Sequence, residues 1–286
     1  MLTPEDIEQI LAWINNAAAI LIGAGAGLSV EAGNNYTDTV TFAMNYPGLV
    51  KKGFNMKLQL MGYENWTESE KWGYYAQHID EVLSLPPHPI YEHLLEIVQS
   101  KDYFVITTNA DELFPKSGFD PLRLYMPQGS YTRLQCLKPC SAETWPSRPV
   151  ADHLLPFIDH STQELTDPTV APTCPNCGGP VFVNVRGGDW FVYEPYEEGE
   201  KRYHAWVNAH RKTSLLLLEI GAGFNTPVWI RWPFEQITAA ISGARLIRVN
   251  PDYPEVPEEI LSKSLPIRDT AGEFISNVWN GLGFSN

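Results

Sequence analysis

The chain has 286 residues, 44% hydrophobic and 12% aromatic, a globular composition that excludes a disordered or collagen-like polymer. Subtracting 34 acidic from 20 basic residues gives a formal charge of −14. That balance argues against sequence-independent nucleic-acid binding and against polybasic docking on anionic membranes. Thr3, Pro4, Glu5 and Asp6 form a helix start, with a capping hydroxyl, Pro at the first position and carboxylates at the positive dipole end. Residues 4–16 then place Ile7, Ile10, Leu11 and Ile14 on one helical face. The start has no basic or apolar signal-peptide region, and no stretch approaches the ~18 apolar residues of a membrane span. With four cysteines and no export signal, a cytoplasmic protein with reduced thiols is expected.

Ala17 to Ile22 runs apolar and stops at Gly23-Ala24-Gly25-Ala26-Gly27, which predicts a buried parallel strand and a tight turn into a helix from Leu28. Residues 36–85 are aromatic-rich and read as a helical insertion ending at Pro86-Pro87-His88-Pro89. An amphipathic helix over 90–99 leads into a second buried strand, Tyr103 to Thr107, which ends at Thr108-Asn109-Ala110-Asp111. Residues 136–180 form an inserted module with a cysteine pair at each end, after which Val181 to Val185 is expected to rejoin the main domain. Leu215 to Ile220 is a third buried strand ending in Gly221-Ala222-Gly223, and Ala244 to Val249 a fourth ending at Asn250. Strands, small-residue loops and helices in alternation predict an α/β fold with an open, Rossmann-type parallel sheet. Ligands bind such sheets outside the carboxyl ends of the strands.

The Gly23–Gly33 segment is either a strand-to-helix turn without ligand or a backbone cradle for pyrophosphate; Leu28 stands where a dinucleotide fingerprint needs its third glycine. A second glycine loop at 221–223 favours the cradle, because two cradles suit a ligand with two nucleoside ends. Cys136, Cys140, Cys174 and Cys177 suit a closed tetrahedral zinc site of structural type. The alternatives are four unrelated thiols or a mixed site with His153 or His160, since 33 residues separate the pairs where about 15–20 are usual. Asn109 can both donate and accept, as needed to read a carboxamide or orient a water. Asp111 can do the same or cap the next helix. The remaining histidines, His78 among them, have no partner at motif spacing.

These motifs occur in an order that resembles the sirtuins over nearly the whole chain: GAGAGLS, TTNAD, a Gly-Ser dipeptide, two cysteine pairs, GAGFNT and a late Val-Asn. The departures resemble the macrodomain-linked (class M) sirtuins. Gln128 stands where the family carries its catalytic His, Asn34–Asp38 replaces the Pro-Asp-Phe-Arg cofactor loop, and 185–190 replaces the Phe-Gly-Glu substrate strand. The resemblance implies a sirtuin-like NAD-binding fold made of 1–35, 86–135 and 181–286, with helical (36–85) and zinc-ribbon (136–180) insertions and NAD in the crevice. It implies NAD-dependent protein ADP-ribosyltransferase activity. An NAD-dependent lysine deacylase and a non-catalytic NAD-binding module are the alternatives. Gly23, Ala24, Gly25, Ser29 and Glu31 are expected at the phosphates and ribose, and Asn109 and Asp111 at the nicotinamide end. Gly221, Ala222, Gly223, Asn225, Thr226 and Asn250 are expected around the adenosine half, with Asn109, Gln128 and Arg186 carrying catalysis. The resemblance further implies a lipoylated glycine-cleavage H-like carrier as acceptor and a macrodomain protein as functional partner. Lys51, Lys52 and Lys57 are expected to form a basic docking patch for that carrier.

Overall fold

The computed structural model describes residues 2–284. Among these the strands are β1 (Ala19–Ala24), β2 (Asp102–Thr107), β3 (Leu124–Tyr125), β4 (Gly129–Cys136), β5 (Thr144–Pro146), β6 (Ile158–Asp159), β7 (Glu164–Leu165), β8 (Val181–Val185), β9 (Leu215–Ile220), β10 (Ala244–Val249) and β11 (Ser264–Ile267). The α-helices are α1 (Pro4–Asn16), α2 (Ala26–Glu31), α3 (Thr39–Asn45), α4 (Pro47–Lys51), α5 (Glu68–Leu83), α6 (Pro89–Val98), α7 (Leu113–Lys116), α8 (Arg148–Leu154), α9 (Glu197–Ala209), α10 (Arg231–Ala240) and α11 (Ala271–Gly281). The chain divides into two compact units, the first made of residues up to Gly33, Pro86–Gln128 and everything from Tyr196, the second of Asn34–Leu85 and Gly129–Pro195.

The first unit is built on a six-stranded parallel sheet in the order β11-β10-β9-β1-β2-β3. All four predicted strands are present. The two additional ones lack a long apolar run: β3 has two residues and β11 is an edge strand that accommodates Pro266. β1, β2 and β9 are apolar because the centre of a parallel sheet is covered on both faces. Ile20, Leu21, Ile22, Val105 and Leu217 are at most 1% exposed. The register aligns Ala24 with Thr107 on one side and Ile220 on the other, so three loops leave the sheet side by side. Strand order reverses at β1, the position where an open sheet offers a crevice. Thr3 caps α1 as its sequence predicts, and the Asp6 side chain accepts in return from the Thr3 amide, which completes a capping box.

One strand carries charge in its interior. Glu219 on β9 lies 2.9 Å from the Arg248 guanidinium of β10, and both are fully buried. Arg248 also reaches Glu235 on α10 at 2.8 Å. Burial pushes the Glu219 carboxyl up against the opposing pull of Arg248 and Arg231.

The second unit holds the antiparallel sheet β5-β4-β8 and the short β6-β7 pair. Val181–Val185 does not rejoin the parallel sheet. It pairs antiparallel with β4, and the chain returns to the first unit only at Tyr196. Val181, Val183 and Asn184 are buried while Phe182 and Val185 are partly exposed. Residues 36–85 and 136–180 share this unit instead of forming separate insertions, because α5 packs on α8, β4 and β7. Two of the three lysines expected to form a basic patch are paired with acids: Lys52 is held between Glu70 and Glu164 at 2.7 Å each and Lys57 is buried against Glu81, while the exposed Lys51 donates to the Ser161 carbonyl. Among the described residues no helix is long and apolar enough to cross a membrane.

Candidate active site

Two glycine loops interlock at the carboxyl end of the parallel sheet. The Gly25 amide donates to the Ile220 carbonyl and the Gly27 amide to that of Gly221, at 3.0 and 3.1 Å. A Cβ on Gly25 would stand 2.5 Å from Gly221 O, and one on Gly27 2.7 Å from Gly221 Cα. These glycines are therefore needed for loop-on-loop packing whatever binds there, and two of the amides expected to cradle phosphate are spent within the protein. Gly25, Ala26 and Gly27 face Gly221–Gly223, Asn225, Thr226 and Asn250 across a cavity of about 240 Å³, also lined by Arg231 and Tyr253. Asn250 is buried and fixed on both sides, donating to the Ala222 carbonyl and accepting from the amides of Asp252 and Tyr253.

Three expected residues lie elsewhere. Gly23 and Ala24 belong to β1, with the Gly23 α-carbon turned towards Ile230 and Phe234. The Glu31 carboxylate packs against Gly272 in the first turn of α11. The strand runs two residues further than the apolar run to Ile22 predicts, so Ala26 and Gly27 line the cavity while Gly23 and Ala24 lie within β1. Arg231 was missed because nothing in its local sequence separates it from a surface arginine, yet it is 3% exposed.

Beside the loops, Ser29, Asn109 and Asp111 come together. Ser29 donates to Asp111 at 2.5 Å, and Asn109 donates its side-chain amide to the Gly25 carbonyl at 2.9 Å. Asp111 uses its other oxygen to accept from the Leu113 amide, so it both caps the turn and holds Ser29. Glu112, next in the chain, has φ +62°, an uncommon left-handed conformation for a side chain of this size. Tyr91 on α6 completes the group, with its hydroxyl 3.3 Å from Ser29 Oγ. Burial, reinforced by Asp111, pushes the Tyr91 phenol well above its ordinary range, so it stays a neutral hydrogen-bonding group. In the sequence Tyr91 is one apolar position of an amphipathic helix.

Gln128 is 9% exposed and follows β3. Gly129 has φ +87°, and a Cβ there would lie 2.1 Å from the Asn184 carbonyl oxygen. The Arg186 guanidinium lies over the rings of Phe191 at 4.4 Å and Tyr193 at 5.2 Å. The loop it begins is pinned from beneath, where Gln135 donates to Trp190 O, Asn184 donates to Val192 O, and Gln135 accepts from Asn184 and the Val192 amide. These buried amides give no motif signal, because their partners are backbone atoms of a distant turn.

The four cysteines converge, with all Sγ atoms within 4.8 Å of one another. Cys136 and Cys177 are 3.7 Å apart and Cys140 and Cys174 3.6 Å, too far for disulfide bonds. Gly178 takes φ +70° and donates to the Cys174 carbonyl, closing the knuckle. Desolvation opposes ionisation of Cys174, but the amides of Cys177 and Asn176 prevail and bring its pKa down to about 7. Four thiols with no histidine among them, turned to one point, fit a tetrahedral zinc ion. The wide spacing is spanned by β5, α8, β6 and β7, which form structure of their own between the pairs.

No family model matches the chain. Solved sirtuins share its fold: a Sir2 homologue–NAD complex aligns with TM-score 0.62 at 17% identity over 96% of this chain and 93% of that one. Sir2Tm bound to a propionylated peptide aligns with TM-score 0.61 at 16% identity, over 98% and 99%. A protein ADP-ribosyltransferase of Staphylococcus aureus is 30% identical over 276 residues, 94% of this chain and 85% of that relative. The chain belongs to the Sir2-family protein ADP-ribosyltransferases. A second relative of this sirtuin, from Fusarium oxysporum f. sp. cubense, is named probable bifunctional ADP-ribose hydrolase/ADP-ribosyltransferase and is 39% identical over 244 residues. That match is 83% of this chain and 41% of the relative, so the sirtuin spans about two fifths of that protein's length. An NAD-dependent protein deacylase of Methylococcus capsulatus is 28% identical over 255 residues, 85% of the sirtuin and 86% of the deacylase.

Proposed function

We propose that this sirtuin transfers ADP-ribose from NAD to an acceptor protein and releases nicotinamide. The observation that carries the reading is the amide at position 128. Deacylation by this family needs a base there to accept a ribose hydroxyl proton, and an amide has no useful basicity near neutrality. Cleavage of the nicotinamide bond makes less demand on proton transfer and more on orientation and charge support. The relatives named as ADP-ribosyltransferases support the same direction.

In this reading Gly25, Gly221, Ala222, Gly223, Asn225, Thr226 and Asn250 hold the adenosine half of NAD, and Asn109, Asp111 and Ser29 serve its nicotinamide end. Gln128 hydrogen-bonds a ribose hydroxyl, and Arg186 orients the acceptor or the cofactor. Zinc, when bound to the four cysteines, supplies folding energy and takes no part in the reaction. Free thiols so close together fit a reducing compartment such as the cytoplasm.

For the acceptor we propose a lipoylated glycine-cleavage H-like carrier, with a macrodomain protein as functional partner. The bifunctional name of the Fusarium relative supports a link to a protein that handles ADP-ribose. A long apolar lipoyl arm contributes about 0.8 kcal/mol per buried methylene, enough to offset a missing peptide-docking strand. The test offers NAD with the carrier, lipoylated and unlipoylated. Modification of the lipoylated form alone is expected, and equal modification of both forms, or of neither, contradicts this acceptor.

A further inference from the structure

Helices α9 and α10 of the first unit stand on either side of a groove that none of the residues assigned to NAD lines. α9 packs on β2 and β3 and α10 on β9 and β10, so the two helices flank the central β1. The groove encloses about 600 Å³, against about 240 Å³ at the glycine loops, a size that takes a ligand or an inserted side-chain group. Ile106 of β2 and Tyr125 of β3 form its floor, Tyr203 and Val207 one wall, and Pro233 and Ile237 the other. Val228, 53% exposed, carries apolar surface to the mouth. One end adjoins the glycine loops. There Trp229 meets Tyr125 edge-on at 6.5 Å, and its amide donates to the carbonyl of Thr226, a residue of the smaller cavity.

Charge is spread unevenly around this groove. Residues 201–212 hold four of the chain's 20 Lys and Arg and no Asp or Glu, which leaves 16 basic against 34 acidic residues, or −18, elsewhere. Arg211 and Lys212 of this run line the groove where α9 ends, with His204 on the same wall. Both are exposed, and among the described residues neither enters an ion pair; Arg211 donates to the Asn208 side chain. Glu200, the carboxylate in the lining, lies 3.9 Å from His204. Lys201 and Arg202 are engaged elsewhere, with Glu198 and with the Leu122 carbonyl. An apolar cleft with a charged rim is the anatomy of a docking surface: the cleft supplies affinity and the rim selects the partner. We propose that this groove docks the acceptor, an acidic protein that inserts an apolar projection between α9 and α10 and sets carboxylates on Arg211 and Lys212. That the partner is the acceptor rests on the transferase reading above.

The test uses the lipoylated carrier as probe and compares wild type with Lys212→Glu, Gln236→Glu and, as a control of equal charge change on the second unit, Lys51→Glu. Gln236 lines the groove and is exposed, so a near-isosteric carboxylate there spares the fold. Carrier affinity is read by calorimetry without NAD at low and high salt, and exchange of labelled nicotinamide into NAD is followed separately. Lys212→Glu and Gln236→Glu are each expected to raise Kd for the carrier about 10-fold at low salt, with Lys51→Glu close to wild type. The salt dependence of binding should flatten in Lys212→Glu, and transfer should fall through KM for the carrier while exchange and KM for NAD hold. Wild-type affinity in both groove variants overturns the proposal, as does equal weakening by Lys51→Glu. It is also overturned by wild type that does not bind the carrier, or by a wild-type dimer that Gln236→Glu splits. Wild type that binds the carrier through the groove but neither exchanges nor transfers removes the transferase reading and leaves the docking surface standing.

Discussion

Gly129 shows how much of the site is set by single backbone positions. Its left-handed φ and the Asn184 carbonyl at 2.1 Å from any Cβ leave no room for a side chain. Gly129→Ala should therefore displace Gln128 and destabilise the fold by more than about 1 kcal/mol. Calorimetry alongside the transfer assay checks this, with melting temperature and activity falling together. Gln128→Ala keeps the backbone and should reduce transfer while leaving affinity for NAD little changed. Asn109→Ala should be worse, by about 100-fold or more if its amide supports the reacting end; the ratio of the two losses is read from steady-state kinetics. Glu81 gives a pH test. Burial works against its ionisation, but His78, Lys57 and Tyr46 together hold the carboxyl at about 2, below the ordinary 4.5. A depressed folded-state pKa contributes stability above pH 4.5 that is lost as pH falls towards 2. Glu81→Gln should flatten that limb in acid denaturation followed by circular dichroism, whereas an unchanged limb would place the acid sensitivity elsewhere.

The central strands and their loops were legible in the sequence because both faces of a parallel sheet are covered and the chain must turn at glycine or a small polar residue. The turn at Gly25 is legible only to within two residues, since five alternating small residues offer no local signal for which glycine meets the second loop. Val181–Val185 resembles a strand of the parallel sheet for a related reason: four of its five residues are apolar, and composition gives no sign of its antiparallel pairing with β4. Paired charge inside a strand was also invisible, because Glu219 and Arg248 are 29 residues apart and meet only through register. Arg248→Met strands the Glu219 carboxylate in the sheet and should cost about 3–5 kcal/mol in urea unfolding. The double variant that also replaces Glu219 by Leu should recover most of that loss. At the cysteine module, purified protein should hold about one zinc per chain, and Cys174→Ser should lower the melting temperature before it alters NAD binding. Metal analysis that finds no zinc, with all four thiols reactive in native protein, contradicts the site.

At the scale of the whole chain, a net charge of −14 and the neutralised lysines of the second unit leave general electrostatic attraction little part in bringing an acidic acceptor. Recognition then depends on local chemistry, for which the family supplies a candidate that composition alone could not name. The central claim is narrower and independent of that acceptor: with Gln128 in place of a basic residue, NAD is used to modify protein and not to remove acyl groups. The most direct measurement incubates the purified chain with NAD, the lipoylated carrier and an acetyl-lysine peptide together, and follows all products by mass spectrometry. The account predicts free nicotinamide and a carrier heavier by one ADP-ribosyl group, with the acetylated peptide intact. Efficient loss of the acetyl group, with O-acetyl-ADP-ribose formed and no modified protein, would contradict it.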